Sequence, residues 1–344
     1  MQGTGNGHLS RARAVIPALR KFCRTDILVS GYQSDVILSH KLDFKYRGLS
    51  FIFGKLGGVD IWKTCLQANL FKLRHEIDTV PVERYDLVIN DFEPVTAWAC
   101  RKKEIPCISL SHQAAVLDKH APQPKRNDLI GKFVLENYAP SSSRFGFHFD
   151  TYSPYIYTPV IRDSIRHARI LDKGHYTVYL PAYGDKKLID ILSAIRNIKW
   201  QVFSKHNKSA LHHENVDIYP IDNEQFIESF RTCTGFICGA GFEAPAEAIF
   251  MGKKMLAIPM KTQYEQMCNA AALEKMGVPI IKKFGKKYIP KIQEWIDNNH
   301  RIKIEYPDVT HEIVKRILES HIDQMVKKPE TIHLKPEISS VISA

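Results

Sequence analysis

Gly239, Ala240 and Gly241 follow a short apolar run, Phe236 to Cys238, and precede a helical pattern from about Glu243 to Met251. Small residues at the mouth of a helix let backbone amides approach an anion, and the helix dipole favours its charge. Gly239, Ala240, Gly241, Phe242 and Glu243 therefore read as a seat for a phosphate. Glu247 lies one turn further in, and Glu265, Gln266 and Asn269 come after the next apolar strand, Met255 to Ile258. Side chains of these types hold hydroxyl groups, and one carboxylate can accept two of them. Taken singly, Glu247 reads equally as a solvated helix residue and Gln266 as a surface residue near a helix start. The spaced set is what points to a ligand. A second glycine-rich stretch, Gly3-Thr4-Gly5-Asn6-Gly7-His8, opens the chain. Its spacing is not GxGxxG and no strand precedes it, which weighs against a dinucleotide site.

The elements that must position these residues alternate. A helix is expected from Leu9 or Ser10 to about Phe22, kinked at Pro17, then a strand from Asp26 to Ser30 and a weaker one from Leu49 to Phe53. A helix over roughly Ile61 to Ile77 follows, then the strand Asp86 to Asn90, a helix from Glu93 to Lys103 and a strand from Pro106 to Leu110. Residues Ala139 to Pro159 break the rhythm, with Phe145, Phe147 and Phe149 alternating as in a strand. The pattern restarts with strands at Tyr176–Leu180, Trp200–Phe203 and Val216–Tyr219 and helices at Lys187–Arg196 and Glu224–Arg231. Closing helices are expected at Tyr288–Asn298 and His311–His321. Strand–helix alternation at this spacing implies parallel α/β sheets. The division is an N-terminal α/β domain over 1–158, a second over 159–321, and a loose tail over 322–344.

The chain has 344 residues, enough for two domains, and no apolar run long enough to span a bilayer. Seven scattered cysteines without CxxC pairs argue for reduced thiols in a cytoplasmic setting, against a disulfide frame or a zinc site. The net charge of +11 suggests an anionic partner: nucleotide phosphates, acidic lipid or nucleic acid. No nucleic-acid recognition module stands out. The pairs Lys253-Lys254, Lys282-Lys283 and Lys286-Lys287 read as solvated faces, with contact to an anionic membrane suggested by charge alone.

Two α/β domains with a phosphate seat in the second and a glycine loop in the first resemble the GT-B glycosyltransferases, in particular the MurG-like and UDP-glycosyltransferase-like group. The resemblance implies two doubly wound Rossmann-like domains facing across a cleft. It also implies transfer of a sugar, with inversion, from a nucleotide-sugar donor, a UDP-sugar, to an acceptor hydroxyl of a lipid-linked or cell-envelope kind. No cofactor or metal is implied, and the setting would be cytoplasmic or peripheral on the inner membrane face. By the same resemblance, the turn at Gly239–Glu243 holds the diphosphate, Glu247 the ribose, and Glu265, Gln266 and Asn269 the donor sugar. His8 is the general base, for which an imidazole with an ordinary pKa near 6.5 is suited. Gly5 and Gly7 leave room for acceptor and donor sugar. Asp91 resembles the acid that orients the base; it reads equally as the cap of the next helix, and Glu93 is then the substitute. His112 lies at a strand's carboxyl edge on the acceptor side, and Tyr183, Ser204 and Lys205 at equivalent edges on the nucleotide side. His206, His212 and His213 lack ligand spacing.

The chain departs from the group in three places. Ala244 stands where many relatives have a hydroxyl, and Gly239 where plant relatives place a His. The apolar strand before the first loop is reduced to Met1 and Gln2. Either the chain begins inside the natural protein or the sheet is built without that strand; the expectation is truncation or a misassigned start, and with it poor folding. A sugar-nucleotide epimerase, a non-catalytic nucleotide-sugar sensor and, on charge alone, a nucleic-acid binder are the rival readings.

Overall fold

The computed structural model describes residues 1–4, 6–31, 38, 40–49, 53–54, 58–59, 69–125, 128–261 and 263–326. Gly5 therefore lies outside the described residues, as does most of the expected tail.

Alternating apolar runs in the first half form parallel strands. Leu28–Ser30 pairs with Phe44–Tyr46, and Val88–Asn90, Cys107–Ser111, Ser143–Phe147 and Ile156–Tyr157 lie side by side in that order. Phe145, Phe147 and Phe149 are buried, as their alternation predicts. The two groups of strands are joined by Met1–Gly3. The Ser30 amide donates to the Met1 carbonyl at 3.2 Å, Gly3 donates to Ser30 at 2.6 Å, and Gln2 donates to Asp91 at 3.1 Å. The expected open position in the sheet is thus corrected: these three residues take the place of its first strand, and the flanking backbone groups are paired.

The second sheet runs Leu211–His213, Val216–Pro220, Lys199–Ser204, His175–Tyr179, Gly235–Gly239, Lys254–Ile258. All pairings are parallel except that of the edge strand Leu211–His213, which the sequence pattern missed. Both sheets are doubly wound. In each, the winding reverses beside the first strand: at Met1–Gly3 next to Val88–Asn90, and at His175–Tyr179 next to Gly235–Gly239. Ligands in open α/β sheets bind at such switch points, beyond the carboxyl ends of the strands.

Several boundaries move for local reasons. The helix expected over Ile61–Ile77 runs from Leu70 to Thr79, because Asn69 caps it by accepting from the Lys72 amide at 2.8 Å; 61–68 lie outside the described residues. Of the strand expected over Leu49–Phe53, Phe53–Gly54 pairs antiparallel with Gly58–Val59, and 50–52 lie outside. The first helix is Asn6–Arg20, three or four residues earlier than expected, with Pro17 inside it. Helix Leu129–Tyr138 was not foreseen. The last helix, Thr310–Val326, passes the expected boundary at 321 without a break. Its Ile313, Val314 and Ile317 share a core with Val15, Ala18 and Leu19 of Asn6–Arg20, so the chain's end returns to its beginning.

Lys253 and Lys254, expected on a solvated face, are buried. The Lys253 ammonium donates to the carbonyls of Leu171 and Cys233, and Lys254 to that of Ile296. Their long stems reach orphan carbonyls at element ends, which satisfies both sides. Burial pushes both ammonium groups down from their ordinary range. Among the described residues no helix is long and apolar enough to cross a membrane.

Candidate active site

Asn6–Arg20 starts at the carboxyl end of Met1–Gly3 and carries His8 and Arg11 one turn apart on one face. Val88–Asn90 delivers Asp91 to the same place. Phe92 then turns the chain with a left-handed φ of 52°, and Glu93 becomes the cap of helix Pro94–Lys103. Glu93 accepts from the amides of Val95 and Thr96 at 2.6 and 2.8 Å and from the Thr96 hydroxyl at 2.5 Å, fully buried. Its acceptor-side role is therefore corrected: both oxygens are spent on the helix. That releases Asp91 from capping. His8 Nδ1 lies 2.9 Å from Asp91 Oδ1. Arg11 Nη2 lies 3.3 Å from the same nitrogen, so a hydrogen on Nδ1 would donate to Asp91 and a bare Nδ1 would accept from Arg11.

Arg11, which the sequence reading passed over, lies between these groups. Its Nη2 donates to both Asp91 oxygens at 2.8 and 2.9 Å, and its Nη1 donates to Glu243 Oε1 at 2.6 Å. Burial alone would raise the Asp91 carboxyl. The Arg11 charge, then His8, and hydrogen bonds from both hold it far below the usual carboxylate range. Burial works against the Arg11 charge, but Asp91 and then Glu243 outweigh it and push its pKa up. The signal that could have revealed Arg11 is a lone charge among Leu9, Ala12 and Ile16 on the buried side of a helix.

The donor-motif turn forms as expected. Gly235–Gly239 ends at the glycines and Glu243–Phe250 begins without a side-chain cap; Gly252 closes the segment with a left-handed φ of 66°. No described atom lies within 4 Å of where a Gly241 Cβ would stand, so the space over the turn is open. Ala240 is a partial correction. Its amide donates to the Ile258 carbonyl at 3.3 Å, which leaves the seat to the amides from Gly241 onward. Gly7 is another. A Cβ there would meet Glu243 Oε2 at 2.5 Å, so the room beside this glycine is filled by a carboxylate.

The polar side chains after the turn are engaged with protein. Glu247 is buried and its two oxygens take Arg162 Nε and Nη2 at 2.5 and 2.7 Å, a bidentate pair. Burial opposes the Arg162 charge and Glu247 more than restores it. Gln266 Oε1 accepts from the Met260 amide at 2.9 Å. Glu265 accepts from Gln113 at 3.0 Å and Tyr264 donates to Gln123 at 2.6 Å, both across the cleft. Asn269 is fully buried, with its amide nitrogen on the Ala240 carbonyl at 3.1 Å and its oxygen 2.8 Å from His112 Nε2. His112 Nδ1 is 2.8 Å from the Phe147 carbonyl, and the ring stacks on Phe242 at 3.9 Å. Ala240 fixes the Asn269 amide, so His112 faces two oxygens, those of Asn269 and of the Phe147 carbonyl. Asn269 and His112 thus form a clasp across the cleft.

Both halves of a two-sided site are now in view: a histidine–aspartate pair on one doubly wound sheet, a glycine turn on the other. The profile of the family described as Glycosyl transferase family 1 matches residues 1–298. The chain belongs to that family. No curated protein matches it significantly. Among solved structures, it is similar to S. aureus MnaA in a co-structure with UDP, with TM-score 0.62 and 12% identity, covering 97% of this chain and 99% of that one. It is similar to Acinetobacter baumannii MurG with TM-score 0.56 and 15% identity, over 93% and 98%. It is also similar to Arabidopsis thaliana UGT89C1 complexed with UDP, with TM-score 0.56 and 12% identity, over 95% and 98%. The fold is that of the two-domain GT-B glycosyltransferases.

In this glycosyltransferase the nucleotide-side candidates stand apart from the histidine pair, beyond the second sheet's strand ends. The Ser204 hydroxyl donates to Asp185 at 2.5 Å and tethers the loop after its strand, while Lys205 is exposed. Tyr183 is buried against Phe284 and its hydroxyl accepts from the Phe284 amide at 3.2 Å. His212 pairs with Asp217 at the sheet edge. Surface cavities of about 460 and 400 Å³ lie at that same edge, around Lys199 and Gln201, remote from His8.

Proposed function

We propose that this glycosyltransferase moves a sugar from a UDP-sugar to an acceptor hydroxyl with inversion. The observation that carries the reading is the His8–Asp91 pair, 2.9 Å apart, on the cleft face opposite an open glycine turn. UDP as the donor nucleotide is supported by the UDP complexes among similar folds. In this reading His8 Nε2 takes the proton of the acceptor hydroxyl while Asp91 holds the Nδ1–H. The acceptor oxygen bonds to the anomeric carbon from the face opposite the leaving group. The bond from that carbon to the diphosphate oxygen breaks, and UDP leaves with the electron pair. The amides from Gly241 to Ala244 and the start of helix Glu243–Phe250 receive the developing charge.

Glu265 Oε1 and Gln266 Nε2 remain to meet sugar hydroxyls in this reading. Glu247 meets the ribose only with Arg162 as its partner. Exposed Leu129, Ile130 and Phe133 on one helix beside Lys132, with the net charge of +11, support an acceptor presented at an anionic membrane from the cytoplasmic side. The deciding experiment incubates the protein with a panel of UDP-sugars and lipid-linked acceptors and follows the anomeric proton by NMR. Product with the opposite anomeric configuration supports the proposal. Retention, or conversion of the UDP-sugar without acceptor, refutes it.

A further inference from the structure

Arg11 carries more positive hydrogen-bonding capacity than its partners use. A guanidinium has five N–H donors. Two go to Asp91 and one to Glu243, while Nε is buried without a hydrogen-bond partner. The group is only 3% exposed and its plane is steadied over the Phe147 ring at 5.5 Å, so it has no route to water for the remaining donors. Its Nη1 is directed at the first residue of the eight-residue helix Glu243–Phe250, the same helix end whose amides are uncapped.

Glu243 is the unusual half of this contact. Its carboxylate stands at the mouth of an anion seat, where it gains from the helix dipole and from Arg11 together. It reaches across the cleft so closely that a Cβ at position 7 would meet its Oε2 at 2.5 Å and push the carboxylate aside. A carboxylate in this position has the charge and hydrogen-bonding character of one phosphate group. It also opposes a second anion arriving beside it, because like charges at this range repel.

We infer that Glu243 is a resident stand-in for the donor diphosphate on Arg11. The incoming diphosphate takes over the Nη1 contact and the unused donors of Arg11, and Glu243 swings out toward solvent, for which its 25% side-chain exposure leaves a path. Arg11 then links the diphosphate to Asp91, and through it to His8, so the base is aligned with an occupied donor seat. Glu243 is a selectivity element as well. Monoanionic or neutral ligands do not repay its displacement, whereas a diphosphate does. The inference rests on the donor reading above, since it assigns the seat to a diphosphate.

The test is calorimetric binding of UDP, uridine and inorganic pyrophosphate to the full chain, with Glu243→Gln, Arg11→Met and the double variant. The expected result is at least fivefold tighter UDP and pyrophosphate binding by Glu243→Gln, with uridine unchanged. Arg11→Met should bind pyrophosphate at least tenfold more weakly, and adding Glu243→Gln to it should restore nothing. Circular dichroism of each variant verifies folding, and Arg11→Gln, which removes the charge but keeps a hydrogen-bonding side chain, replaces Arg11→Met if that variant unfolds. Unchanged or weaker pyrophosphate binding by Glu243→Gln overturns the inference. So does tightening that persists without Arg11, since the two anions would then not share one cation. Pyrophosphate keeps the two readings separable. If it behaves as expected while UDP does not bind, the UDP reading fails and the stand-in survives.

Discussion

The two doubly wound halves place their switch points face to face but use them differently. In the first half the polar side chains converge, and Asp91 is shared by His8 and Arg11. In the second half the backbone over the turn is open, while each polar side chain after it has at least one atom engaged with protein. Glu247 is locked to Arg162, Gln266 to the Met260 amide and Asn269 to His112 and Ala240. Under the proposed function, the difference means that one architecture presents chemistry through side chains and binding through amides. The conspicuous polar residues of the second half hold the turn and the cleft in place.

The comparison can be broken from either side. The largest expected effect is on the side-chain half. Asp91→Asn keeps the Arg11 contact through its carbonyl but turns an NH2 toward His8, forcing the hydrogen onto Nε2. Turnover should fall by about 10³-fold or more with UDP affinity little changed; steady-state kinetics beside calorimetry reads both. Next is the second half's buried pair. Arg162→Met leaves Glu247 charged and alone, at a cost of about 3–5 kcal/mol in unfolding free energy, measured by denaturant titration. If Arg162→Met loses UDP binding while staying folded and stable, Glu247 is a ligand residue and the contrast between halves weakens.

A smaller effect is expected at the clasp. Asn269→Leu strands the Ala240 carbonyl and His112 and should destabilise by about 1–3 kcal/mol. Denaturant titration of Asn269→Leu beside the native protein reads that loss, and an unchanged stability would remove the clasp's role.

The smallest effect is the pH response of Asp91. Its carboxyl is held below its unfolded value near 3.9, so the stabilisation is complete above that value. As acid is added it is lost progressively below about pH 4, down through the depressed native pKa. The slope of unfolding free energy against pH should be shallower in Asp91→Asn over that range.

Local signals in the sequence carried most of the architecture. Strand–helix alternation, the alternating phenylalanines and Gly252 as a stop are set by residue type within a few positions, and the structure follows them. The glycine turn at Gly239–Gly241 was legible for the same reason. Partner choice was not. Asp91 and Glu93 are equally good caps on paper; the left-handed turn at Phe92 assigns the cap to Glu93. Glu247 looks free until the segment between the domains brings Arg162 to it, 85 residues away. Lys253 and Lys254 look solvated until carbonyl ends from distant elements converge on them. Met1–Gly3 is too short to register as a strand, and only its two neighbours' hydrogen bonds give it that place.

The central claim is that His8 moves the proton while the opposite turn holds the donor. His8→Ala tested for turnover of a UDP-sugar and for UDP affinity in the same preparation addresses it most directly. The account predicts turnover reduced by about 10²–10⁴-fold with the UDP dissociation constant within a factor of about two of the native protein's. Undiminished turnover, or lost UDP binding in a folded His8→Ala protein, would contradict it.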